Sequence, residues 1–162
     1  MTIAVKETDE GRKIKILARL KKADREQLMR VMHKRDFRAD DVIYQQGQPA
    51  MAIFFILQGS VGLFKSDADQ RLQRLKVVPM GDCFGAAGAL AGAMHHESAI
   101  ALEPVQVLAM THSEWSRLLQ LQPTLAMEVF CGLYQELLAD WHAILTEYHG
   151  LTVQLTKANI II

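Results

Sequence analysis

Residues 81–99 read "GDCFGAAGALAGAMHHESA". Glycine and alanine dominate the first two thirds, which lets a ligand approach the backbone and lets a short helical turn aim its amides outward. The stretch carries no Arg or Lys. An acid, Glu97, stands near its end, where a counter-charge to an anion would be expected. Upstream lies "DDVIYQQGQPAMAIFFILQGSVGLFKSDADQRLQRLKVVPMGD" (residues 40–82), whose short β-rich runs are punctuated by turn residues. Strands are predicted over 42–44, 52–57, 60–65 and 72–78, separated at Gly47, Gly59, Gly81 and residues 67–70. Downstream, two more are predicted over 98–102 and 105–111, divided by "EP". Strands this short at such even spacing predict a small sandwich, barrel or jelly roll.

Helices frame this β region. Over 9–36, Ile14, Leu17, Ala18, Leu20, Leu28, Val31 and Met32 recur at threes and fours between Lys and Arg. Asp24 is placed to cap a second short helix running through Met32. "THSEWSRLLQLQ" predicts a helix capped by Thr111 or Ser113, with Glu114 completing a capping box. Pro123 suits the first turn of a longer helix, and Gly150 suits its C-cap. That helix would span roughly 40 Å. Ala126, Phe130, Leu133, Leu137, Trp141, Ile144 and Tyr148 step along one seam, and Leu125, Val129, Tyr134, Leu138 and Leu145 widen it. A helix that apolar buries more than one side. Either it packs on its own domain, or Phe130, Leu133, Leu137, Trp141, Ile144 and Tyr148 form a homodimer interface. The tail "LTVQLTKANIII" receives no assignment.

Composition narrows the function classes. The 162 residues fit one domain with an appended helix, and half are hydrophobic. Eighteen basic residues balance eighteen acidic ones, so nothing favours non-specific attraction to nucleic acid or an anionic membrane. No apolar run approaches the ~20 residues of a membrane span. The N-terminal "MTIAVKETDEGRK" becomes charged too early for a secretory signal. Cys83 and Cys131 are too few and too dispersed for a disulfide framework or a zinc knuckle and are expected to be reduced, buried thiols. The expected location is cytoplasmic.

The order of these pieces resembles the cyclic nucleotide-binding domain family of catabolite-activator-type regulators, kinase regulatory subunits and gated channels. "FRADDVIYQQGQPAMAIFFILQGSVGLF", "MGDCFGAAGAL" and "SAIALEPVQVLAMTHSEWSRLLQLQPTLA" carry the likeness, over roughly residues 10–150. It implies a mainly β fold with flanking helices, a β-roll or jelly roll of about eight short strands. N-terminal helices are expected over 1–36, the roll over 37–111, C-terminal helices over 112–150 and a tail over 151–162. The loop at 81–99 resembles the family's phosphate-binding cassette, which runs Phe-Gly-Glu, a short helix, an Arg, then Ser or Thr and Ala. In the family, the Glu accepts from the ribose 2′-hydroxyl and the Arg pairs with the cyclic phosphate. Here Phe84, Gly85, Ser98 and Ala99 match, but Ala86 stands for the Glu and Glu97 for the Arg, in a stretch a residue or two longer than usual. The candidate ligand residues are therefore Phe84, Gly85, Ala86, Ala87, Gly88, Ala89, Leu90, His96, Glu97, Ser98 and Ala99.

Charged hydrogen bonds contribute roughly 1.5–3 kcal/mol each. Losing both contacts and adding like-charge repulsion costs on the order of 4–6 kcal/mol, about a thousandfold or more in affinity. The family's usual ligand is not expected to bind in the usual way, and no cofactor is expected. Three readings stay open. One is a regulatory module acting through a protein partner as yet unidentified. Another is a sensor of a cyclic nucleotide or an atypical small molecule. The third is a haem or metal sensor using Cys83 with His95 or His96. A protonated histidine, His95 or His96, is a partial substitute for the Arg. Adjacent histidines on a strand point to opposite faces, so they do not readily share a metal, and the loop's polar residues are expected to face water. Residues grouped for catalysis are not discernible, so no enzymatic activity is expected. About a dozen residues follow Gly150, which leaves no room for a helix-turn-helix, and direct DNA binding is not expected.

Overall fold

The computed structural model describes residues 10–157. A single 3₁₀ turn (Gly11–Lys13) leads into helices α1 (Lys15–Ala18) and α2 (Lys22–Val31). Eight strands follow: β1 (His33–Phe37), β2 (Val42–Tyr44), β3 (Ala52–Gln58), β4 (Val61–Ser66), β5 (Leu72–Val78), β6 (Cys83–Phe84), β7 (Ser98–Ala101) and β8 (Val105–Thr111). The short α3 (Ala86–Ala91) sits between β6 and β7, and α4 (His112–Leu121) and α5 (Pro123–Lys157) complete the chain. All strand pairs are antiparallel, in two four-stranded sheets ordered β1-β8-β3-β6 and β2-β7-β4-β5.

The run "AIFFIL" explains how the layers assemble. On β3, Ala52, Phe54 and Ile56 face the space between the sheets, joining Tyr44, Val61, Val78, Phe84 and Val107. Ile53, Phe55 and Leu57 face the opposite way and pack with Leu17, Leu28, Trp115, Leu118, Val129 and Leu133 under the helices. An uninterrupted apolar strand is what a layer buried on both faces requires. The β3–β4 turn rests on Gly59, at φ +81°, where an added Cβ would lie 2.5 Å from the Pro104 carbonyl oxygen. Thr111 caps α4 in a reciprocal capping box with Glu114, as the sequence pattern predicts.

Three expectations change. Residues 33–36, read as helical, belong to β1, which pairs only with β8 at the sheet edge. Its exposed His33, Lys34, Arg35 and Asp36 give no apolar alternation, and their charges blunt the edge against further pairing. Helix α2 starts at Lys22, with Lys21 at the N-cap, and Asp24 lies inside its first turn. Gly150 does not end the last helix, which runs on to Lys157 through residues 151–157 of the unassigned tail. Residues 158–162, and 1–9 at the other end, lie outside the described residues.

Candidate functional site

The loop 81–99 is built against the inter-sheet core. Phe84 on β6 pairs with Phe54 on β3, their rings stacked at 5.1 Å. Gly85 follows as N-cap of α3 at φ +76°, and its Cα lies so close that a Cβ would sit 3.1 Å from the Ala52 carbonyl. Ala86, Ala87, Gly88, Ala89 and Leu90 lie within α3, with Gly88 and Ala89 buried and Ala87 exposed. The return limb is zipped to the 46–50 turn. Ala50 N–H donates to the Ala93 carbonyl (3.0 Å), His95 N–H to Gln48 (2.8 Å), and Gly47 N–H to His95 (2.8 Å). Ser98 is buried, and its Oγ accepts from the Gln46 amide at 2.9 Å, while Ala99 is fully buried on β7.

Tyr44 occupies the middle of this frame. Its ring lies flat on the His95 imidazole, 3.5 Å between centroids and 3° between planes, and tilts against Phe54 and Phe84. Its hydroxyl donates to Glu97 Oε1 at 3.1 Å. Burial first, then the Glu97 carboxylate, holds the Tyr44 hydroxyl far above the usual phenol range. Burial lowers the His95 imidazole, which Glu97 only partly offsets. His95 is 5 % exposed, so the expectation that the loop's polar residues face water fails there, whereas His96 is exposed. Glu97 is thus a carboxylate already engaged by a tyrosine, beside an imidazole whose charged form burial disfavours.

A cavity of about 480 Å³ opens next to Ala86, between the roll, α1 and α5. Leu63, Val78, Phe84, Leu133 and Leu137 supply apolar wall. Lys15 pairs with Asp82, and Lys76 holds both oxygens of Asp140 at 2.5 and 2.6 Å. The Cys83 thiol donates to Glu136 Oε2 at 3.2 Å. Burial pushes the Cys83 thiol well above its ordinary value and raises the Glu136 carboxyl. Cys83 thus turns to α5, while His95 lies on Tyr44. Among the described residues no three His, Cys, Asp or Glu side chains are grouped to hold a metal ion. A larger, shallower depression of about 810 Å³, lined by Arg19, Met127 and Cys131, lies at the α1–α5 junction away from the loop, and Cys131, expected to be buried, is exposed there because it lies on the outer side of α5.

The sequence profile described as "Cyclic nucleotide-binding domain" matches residues 34–122, more than half of the chain. The chain belongs to the cyclic nucleotide-binding domain family. Solved structures agree on the fold. A cyclic nucleotide-binding domain from Methylobacillus flagellatus KT is 21% identical with a TM-score of 0.78, over 85% of this chain and 80% of that one. The N-terminal domain of a Streptomyces coelicolor A3(2) transcriptional regulator is 21% identical with a TM-score of 0.70, over 82% and 94%. The Thermus thermophilus catabolite activator protein is 22% identical with a TM-score of 0.69, and the match covers 82% of this chain but only 63% of that one. Among curated proteins none matches the sequence. The family is regulatory rather than catalytic, and no described helix is long and apolar enough to cross a membrane.

Within this cyclic nucleotide-binding domain, residues Phe84 to Ala99 run from β6 through α3 and back to β7. Tyr44, packed against the loop, and Lys76, Glu136 and Asp140, which line the adjacent cavity, are not marked by any sequence motif. Tyr44 looked like an ordinary strand residue. The other three lie on β5 and α5 and meet the loop only through tertiary packing.

Proposed function

We propose that this domain is a regulatory module that does not bind cyclic AMP or cyclic GMP in the family's usual way and acts through protein contacts. The observation that supports it is the Tyr44–Glu97 hydrogen bond at the Arg position. A cyclic phosphate there would meet a carboxylate that is already hydrogen-bonded to Tyr44. Like-charge repulsion and two missing charge-assisted bonds all oppose binding. Isothermal titration with cyclic AMP and cyclic GMP at neutral pH tests the reading. Silence to millimolar ligand is expected, and micromolar binding overturns it.

The contact surface we assign to this module is the outer stripe of α5, and the partner a second copy of the chain. Phe130, Tyr134, Leu137, Trp141, Ile144, Tyr148 and Leu151 are all exposed and step by fours and threes, a 3.5-residue repeat suited to a left-handed seam. Leu133, expected in this interface, instead turns into the protein's own core, as do Leu125, Ala126 and Val129. The exposed stripe presents on the order of 800–900 Å² of side chain, the scale of one side of a standard protein–protein interface. Ile144→Asp is expected to convert dimer to monomer in sedimentation velocity. An unaltered sedimentation coefficient would remove α5 from the interface.

A second reading, a sensor of an atypical small molecule, is favoured by the cavity beside Ala86, where a methyl group replaces the family's ribose-binding carboxylate.

A further inference from the structure

The polar groups of the cavity between the roll and α5 are unevenly satisfied. Three carboxylates line it, and two have a cation of their own: Asp82 has Lys15, and Asp140 has Lys76 on both oxygens. Arg19, at the rim, donates to Gln135. Among the described residues Glu136 makes no ion pair of its own, and Lys15 and Lys76 act on it only from their places beside Asp82 and Asp140. Among the described residues its hydrogen bond comes from the Cys83 thiol, a weak donor at 3.2 Å. Its other carboxylate oxygen takes no donor from the described residues. Around it, Leu63, Phe84, Ala86 and Leu137 are apolar or carry no polar side-chain group.

We propose that this cavity binds a small amphiphilic cation, an aryl- or alkylamine whose ammonium group is held by Glu136 and whose apolar body lies against Phe84, Leu63 and Leu137. The inference rests on the atypical-ligand reading above. An anionic ligand is disfavoured on this wall because both lysines are committed to their own acids, so recruiting either leaves Asp82 or Asp140 behind, and the third cation, Arg19, stands at the rim on Gln135. A neutral apolar ligand fills the walls but brings Glu136 nothing. An ammonium supplies three donors and a charge in a partly desolvated setting, where charge-assisted bonds are strongest. Burial raises the Glu136 carboxyl, and Lys15 and Lys76, each paired with another acid, only partly offset it. The cavity volume of about 480 Å³ accommodates a ligand of one ring and a short chain.

The test uses the full chain and three probes of matched size: 2-phenylethylamine, 2-phenylethanol and phenylacetate, titrated calorimetrically at pH 7.5. The amine is expected to bind at least about tenfold more tightly than the alcohol, and phenylacetate is expected to give no heat. Glu136→Gln keeps an acceptor for the Cys83 thiol and is expected to bring amine and alcohol to equal affinity. Amide shifts at Ala86 and Glu136 in two-dimensional NMR locate the bound amine. Equal binding of amine and alcohol by the wild type overturns the proposal. So does preference for phenylacetate, persistence of the amine preference in Glu136→Gln, or silence to 10 mM amine. None of these outcomes bears on cyclic nucleotide binding, which its own titration decides, so the two readings fail separately.

Discussion

Replacing Ala86 by Glu and Glu97 by Arg together converts the loop to the pattern that the family uses for cyclic nucleotides. The structure sets both sides of the balance. On the ligand side, the Arg removes a like charge and adds a charge-assisted contact, and the Glu returns an acceptor for the ribose. At roughly 1.5–3 kcal/mol per charged hydrogen bond the gain is about 4–6 kcal/mol, or about a thousandfold in affinity. On the folding side, the Tyr44 hydroxyl loses its acceptor inside a buried aromatic cluster. An orphaned buried hydroxyl costs about 1–2 kcal/mol, which lowers the melting temperature by roughly 2–8 °C in a domain of this size. Adding Tyr44→Phe removes the orphaned group while keeping the ring stacked on His95. The Ser98–Gln46 contact is untouched in every variant. Calorimetric titration with cyclic AMP, paired with a thermal melt, reads both terms. Silence in the wild type and micromolar binding in the double variant are expected, with Glu97→Arg alone in between. A double variant that melts cooperatively, with or without Tyr44→Phe, yet gives no heat would refute the alignment of Glu97 with the cassette arginine.

Three further outcomes follow from the packing. Because burial lowers the His95 imidazole below its ordinary value of 6.5, the unfolded chain takes up that proton first. The stabilisation is therefore complete above about pH 6.5 and is lost as pH falls through that value to the folded one. His95→Phe, which keeps a ring on Tyr44, is expected to flatten the fall in melting temperature between pH 7.5 and 5, and parallel curves would exclude His95 as its source. Gly59→Ala places a Cβ 2.5 Å from the Pro104 carbonyl oxygen at φ +81°. A loss of at least about 2 kcal/mol in urea unfolding is expected, and a change under 0.5 kcal/mol would contradict the turn geometry. Thr111→Ala removes half of the α4 capping box and is expected to cost about 1 kcal/mol by the same measurement. A neutral result would mean that tertiary packing alone holds that helix end.

The parts of the fold legible in the sequence were those in which local chemistry and tertiary placement agree. "AIFFIL" is strand whichever layer lies above or below it, and "LQGSV" is a turn because only glycine tolerates Gly59's backbone. The edge strand β1 escaped because its pattern, "HKRDF", belongs to solvent, and only the exposed flank of β8 makes it a strand. Gly150 looked like a stop because a helical glycine costs about 1 kcal/mol relative to alanine. In a helix of 35 residues that penalty is outweighed. Leu133 lies on the boundary between the inner and outer stripes of α5, where a step of three or four cannot say which way a side chain turns. In the loop, the sequence alone sets Ala86 and Glu97 against the family's Glu and Arg, which the double variant tests. What fills the frame could not be read from it, because Tyr44 meets Glu97 across 53 residues of chain.

The anchoring of α5 has a mechanical consequence. Asp140 is clasped by Lys76 from the β5 hairpin, and beyond it no described side chain of the helix is buried. The remaining seventeen residues reach about 25 Å past that clasp at ~1.5 Å per residue. A tilt of about 10° at the clasp moves the far end by roughly 4 Å over that rigid rise. The helix therefore acts as a pointer whose pivot sits on the wall of the cavity. Any tilt about that clasp is enlarged at the tip in proportion to the length of helix beyond it.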